Sequence, residues 1–113
     1  MGLKAEIAER YEELQSAKFP RGFARIVADD DADVDLAELD GFVAGLASSY
    51  VQDGSLRADR IPLSRRLDAA FTRSLDSKEH DAVLEPYRRR WKLLVELSEL
   101  LAKTGKIRLE WTD

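Results

Sequence analysis

The chain has no cysteine and a single histidine. The first absence excludes disulfides, thiolate metal sites and cysteine nucleophiles together. With one His and no Cys, a zinc site also lacks its usual ligands. Long apolar runs are missing as well. The N-terminal MGLKAEIAER has no uninterrupted apolar stretch of the signal-peptide kind, and no segment approaches the roughly 20 apolar residues needed to span a bilayer. The expectation is a cytoplasmic protein with no membrane partner. Proline is sparse, only Pro20, Pro62 and Pro86, so each one is informative about where an element starts or breaks.

What is present is enough for one folded domain. The 113 residues can enclose a single core, and a charged share of 35% implies a strongly polar surface. Leu, Ile, Val and Phe recur at regular spacing, which argues against disorder throughout. The net charge of −4 conceals segregation by block. Residues 1–28 carry five basic and four acidic side chains, and residues 29–56 carry eight acidic and none basic. Residues 57–92 hold ten basic against six acidic, and residues 93–113 hold three against four. Blocks of like charge often face a partner, but two of opposite sign can equally face each other within one fold.

Apolar periodicity predicts helices over 2–17, 35–52, 62–75 and 79–103. In the first, Leu3, Ile7, Tyr11 and Leu14 share a stripe, with Glu6, Glu9, Glu12 and Glu13 largely off it. Pro20 and Gly22 follow its end. A short segment, Phe23 to Ala28, is too brief for periodicity to choose between helix and strand. The second helix reads from a capping box, Asp35-Leu36-Ala37-Glu38, with Leu36, Leu39, Val43, Leu46 and Tyr50 behind it, Phe42 widening the stripe, and a stop at Asp53-Gly54. Gly41 and Gly45 inside it each cost about 1 kcal/mol relative to alanine, which predicts close approach of another backbone. Pro62 suits the first turn of the third helix, where Leu63, Leu67, Phe71 and Leu75 lie four apart. Asp76-Ser77 ends it.

The fourth helix is the longest. Leu84, Tyr87, Trp91, Leu94, Ser98 and Leu101 alternate three and four apart, and Val83, Val95, Leu97 and Leu100 widen the seam, so it should be central. Pro86 either starts it at Tyr87 or sits inside an earlier start near Glu79, and Thr104-Gly105 closes it. The tail, residues 106–112, alternates instead: Ile107, Leu109 and Trp111 against Lys106, Arg108 and Glu110. That is strand spacing without an evident partner strand, inside the chain or on another molecule. The expected fold class is all-α: an antiparallel bundle of about four helices with a short extended C-terminal tail.

Catalytic chemistry finds little footing. His80 stands at a helix start between Glu79 and Asp81, and adjacent positions on a helix do not face each other. Ser48, Ser49, Ser64 and Ser74 have no GxSxG setting and no evident base. Phosphate loops, dinucleotide fingerprints and HExxH are missing too. The expectation is a protein that is not an enzyme and carries no cofactor.

The stretch VADDDADVDLAELDG, residues 27–41, holds seven carboxylates. As a calcium loop starting at Asp29 it supplies Asp29, Asp31 and Asp33, with Leu36 at position 8. Val34 then occupies the position that needs glycine, and Asp40 is short for the bidentate clasp. Starting at Val27 loses the first ligand and puts Ala32 at the glycine position. Neither register is satisfied. The start of a helix accounts for Asp33, Asp35 and Glu38, because carboxylates favour the positive end of the dipole. Asp29, Asp30 and Asp31 have no such duty; they fit either a solvated loop or a surface that meets a basic partner.

On the basic side, Arg88-Arg89-Arg90 and Lys92 surround Tyr87 and Trp91, and Arg65-Arg66 precede Leu67. Such residues can bind nucleic acid through phosphate contacts and stacking, but here the two rings lie on the helix seam. A helix-turn-helix over Asp68 to Leu84 would lack glycine in its turn. Charge and size together therefore favour a small acidic-surface binding protein, of the kind of an immunity protein or antitoxin that neutralises a basic nuclease-type toxin. Its contact residues would be Asp29, Asp30, Asp31, Asp33, Asp35, Glu38 and Asp40, with Tyr50 or Trp111 as anchors. The alternatives are a nucleic-acid-binding regulator using Arg65, Arg66, Arg88, Arg89 and Arg90, and a degenerate calcium module.

Overall fold

The longest apolar stripe in the chain becomes the spine of the molecule. A computed structural model describes residues 2–17, 32–72 and 78–112, with side chains described at all of these but 32–35, 70, 72 and 78–84. Its elements, in chain order, are α1 (Leu3–Ser16), α2 (Ala32–Asp53), β1 (Arg60–Ser64), α3 (Arg65–Thr72), α4 (Lys78–Ala102) and β2 (Arg108–Thr112). The protein is mostly helical, with a small two-stranded parallel sheet.

Tyr87, Trp91, Leu94, Leu97, Ser98 and Leu101 of α4 are all buried, so the three-and-four spacing marks a core face. Each large apolar side chain fully buried here contributes about 1.5–3 kcal/mol. Ser98 is tolerated at full burial because its hydroxyl donates to the Leu94 carbonyl at 2.8 Å. Pro86 lies inside the helix with its ring exposed. Ile7 and Leu14 hold α1 against α2 and α4, and Leu36, Leu39, Val43 and Leu46 hold α2 to the same core. Gly54 and Gly105 close α2 and α4 at φ of 74° and 77°, a backbone region that favours glycine.

Three expectations change. Helix α2 begins at Ala32, so Asp35 sits within its first turn and is not the cap. Carboxylates are welcome anywhere in that turn, which lets the helix extend back through the aspartates. Pro62 belongs to β1, and the third helix starts only at Arg65. Its cap is Ser64, whose Oγ accepts from the Leu67 amide at 3.1 Å. Finally, Gly41 and Gly45 are exposed, and among the described residues a Cβ at either would meet nothing within 4 Å and no close backbone approach is made there.

The tail is a strand paired within the chain, so the fold is not purely helical. β1 and β2 run parallel with Ile61 opposite Leu109 and Leu63 opposite Trp111. Parallel strands need a crossover, and α3 with α4 supplies it. Ile61 and Leu63 point into the core, while Arg60, Arg108 and Glu110 line the outer face, joined by ion pairs at 3.1 and 3.7 Å.

Candidate functional site

Helix α2 carries most of the acidic block, and its helical geometry separates the carboxylates. Residues two apart lie about 200° apart around a helix, so Glu38 and Asp40 face opposite ways. Asp40 turns inward. Its carboxylate takes a bidentate pair from Arg90 of α4, Nε to Oδ2 at 2.7 Å and a terminal nitrogen to Oδ1 at 3.0 Å. The two side chains are 13% and 7% exposed, respectively. The other terminal nitrogen of Arg90 donates to the Ala17 carbonyl just after α1, so one guanidinium ties three helices together. Among the described residues no buried side-chain nitrogen or oxygen lacks a partner. Asp40 is therefore half of an internal ion pair.

Glu38 is exposed and lines a cleft of about 490 Å³ between α2 and the β1–α3 corner, together with Phe42, Pro62, Arg66, Leu67 and Thr112. Phe42 is 39% exposed there rather than part of the core stripe. Trp111, 36% exposed, lies one residue before Thr112 in β2. Tyr50 is half-buried against the core, three turns along α2 from Glu38. Asp33 and Asp35 belong to the first turn of α2. Asp29, Asp30 and Asp31 lie outside the described residues. At the other end of α2, Asp53 is exposed; hydrogen bonds from the Ser55 hydroxyl and amide hold its carboxyl below the usual range.

The basic block is divided in the same manner. Arg88 donates from Nε to the Phe71 carbonyl at 3.0 Å, a cation on the last turn of α3 where the helix dipole favours it. Arg90 is engaged with Asp40, and Arg89 and Lys92 are exposed. Consecutive positions on a helix step by about 100°, so the arginine triplet cannot present one surface. Tyr87 and Trp91 stack on Phe71 with centroids 6.3 and 5.6 Å apart, and the Trp91 indole donates to Asp68 at 2.7 Å. Both rings are core. Arg65 and Arg66 are exposed.

A second cleft, of about 690 Å³, runs between α1 and α4. Glu9, Glu12, Glu13 and Glu85 line it with Arg89, Arg90 and Leu93. Arg10 keeps Glu13 in place at 3.0 Å and approaches Glu96 at 3.6 Å. The off-stripe glutamates of α1 were the only signal of this acidic groove in the sequence, and their meeting with Glu85 depends on the α1–α4 packing. The continuous helix from Ala32 also removes the sharp turn that a calcium loop needs at Val34. Among the described residues no three His, Asp or Glu side chains converge as a metal site. No helix among them is long and apolar enough to cross a membrane. Compared with protein-family models, with curated proteins and with solved structures, the chain has no significant match.

Proposed function

We propose that the protein is a small, non-enzymatic cytoplasmic binding protein, a helical bundle whose acidic surface docks a basic protein in the manner of an immunity protein or antitoxin that neutralises a nuclease. The observation that carries this reading is the one-sided charge of residues 29–56, eight carboxylates in one stretch, of which Glu38 and Asp53 are exposed. Residues 29–56 hold no cation at all to neutralise the other carboxylates locally. Such a surface speeds encounter with a cationic partner and rejects phosphate-rich ones. Phe42, exposed beside Glu38, is the aromatic anchor that would set affinity.

Affinity capture from the native cell extract tests it with three baits. The wild-type chain and an Arg65→Ala/Arg66→Ala/Arg89→Ala variant should retain a basic nuclease. An Asp29→Asn/Asp30→Asn/Asp31→Asn variant should lose it. Retention of nucleic acid instead, abolished in the arginine variant, would favour a nucleic-acid-binding regulator and sink the proposal.

A further inference from the structure

The two edges of the small sheet are not alike. The Arg108 amide donates to the Asp59 carbonyl at 3.0 Å, which fixes the phase of the parallel ladder. In that phase Arg108, Glu110 and Thr112 bond toward β1, and the amides and carbonyls of Leu109 and Trp111 point away from it. On β1, Ile61 and Leu63 bond toward β2, and Arg60, Pro62 and Ser64 point away. Pro62 has no amide to offer, so the outer edge of β1 is blunted in the manner natural sheets use against unwanted pairing. No proline guards the outer edge of β2. Among the described residues no third strand covers it.

We infer that this free edge of β2 pairs antiparallel with β2 of a second copy of the chain, across a two-fold axis at Leu109. The sequence of the strand selects the partner and the register. With Leu109 opposite its own copy, Arg108 lies opposite Glu110 of the other strand, twice, and Ile107 lies opposite Trp111, twice. Both charge pairs fall on the outer face, where Arg108 and Glu110 already lie, and the apolar pairs fall on the core face. Trp111 at 36% exposure and the half-buried Leu109 gain an apolar neighbour each. The competing register, with Glu110 on the axis, sets two carboxylates directly opposite, which is unfavourable in a sheet. The result is a continuous four-stranded sheet, β1-β2-β2-β1, with pairs of opposite charge and of apolar side chains along its central seam. The inference does not depend on the acidic face.

Charge reversal at the two paired positions tests it on the full chain. Wild type should scatter light as twice the protomer mass of 12.8 kDa. Arg108→Glu alone and Glu110→Arg alone each place like charges in both pairs and should run at one protomer mass. An equimolar mixture of the two restores both opposite-charge pairs and should return to the doubled mass. A wild type that stays at one protomer mass up to about 1 mM, where even weak pairs associate, overturns the inference. So do single variants that dimerise like wild type, or a mixture that fails to associate. Should either variant fail to fold by circular dichroism, amide exchange in wild type decides. The Leu109 and Trp111 amides slow as concentration rises while the Arg60 amide does not; equal behaviour of the three contradicts the pairing.

Discussion

Asp40 and Arg90 stand 50 positions apart in the chain and 2.7 Å apart in the fold. Removing one partner of a buried pair leaves an uncompensated charge, at a cost of about 3–5 kcal/mol. Asp40→Ala should lower stability by that amount in urea unfolding, and Asp40→Leu combined with Arg90→Met should recover most of it. A loss below about 1 kcal/mol, the range of a surface pair, would contradict the buried geometry. Asp53 makes a different forecast, one about pH. Its folded-state pKa lies below the unfolded value, because Ser55 donates two hydrogen bonds to the carboxylate. Its support for the fold is present above the unfolded carboxylate pKa and is lost as the pH falls through the lowered folded value. Asp53→Asn should therefore flatten the acid limb of the stability curve, measured as the urea midpoint against pH. An unchanged acid slope would show that Asp53 carries none of it.

Among the elements, α2 holds the least expected feature: two glycines on an exposed face with open space above them. Gly41→Ala and Gly45→Ala should each raise stability by up to about 1 kcal/mol, read as an upward shift of the urea midpoint. A destabilised variant would mean that something in the fold needs the bare backbone. Helix α1 was legible almost to the residue and α4 along its whole seam, while Pro86 left the start of α4 open between Tyr87 and Glu79, and the helix begins at Lys78. Strand β1 was not. Its five residues alternate, Ile61 and Leu63 inward, but Leu63 also falls four before Leu67 and eight before Phe71, so the helical stripe absorbed it. The strand spacing of β2 was visible, yet its partner is nonlocal, and no local pattern names Arg60 as the residue opposite Arg108. Of the expected contact residues, Glu38 and Trp111 are exposed and Asp40 is internal. That split follows from helix phase and from a cation on another helix, which a count of carboxylates cannot register.

For the whole molecule, the two charge blocks meet at a buried point, the Asp40–Arg90 pair, and again in the cleft that Glu38 and Arg66 line. The Asp40–Arg90 pair joins α2 to α4 and Arg88 closes α3, so part of the basic block serves the fold. What this leaves exposed among the described residues includes Glu38 and Asp53 on α2, Arg65, Arg66, Arg89 and Lys92 of the basic block, and the rings of Phe42 and Trp111, with an acidic groove between α1 and α4. These features are what the proposal rests on, that the molecule recognises another protein by charge and anchors on a few apolar side chains. The most direct measurement of this proposal is a titration of the purified chain into the activity assay of the basic nuclease that affinity capture should return. The account predicts that activity falls to background at one equivalent, and that Asp29→Asn/Asp30→Asn/Asp31→Asn needs a large excess that grows with salt. Nuclease activity unchanged in the presence of excess wild-type protein would contradict it.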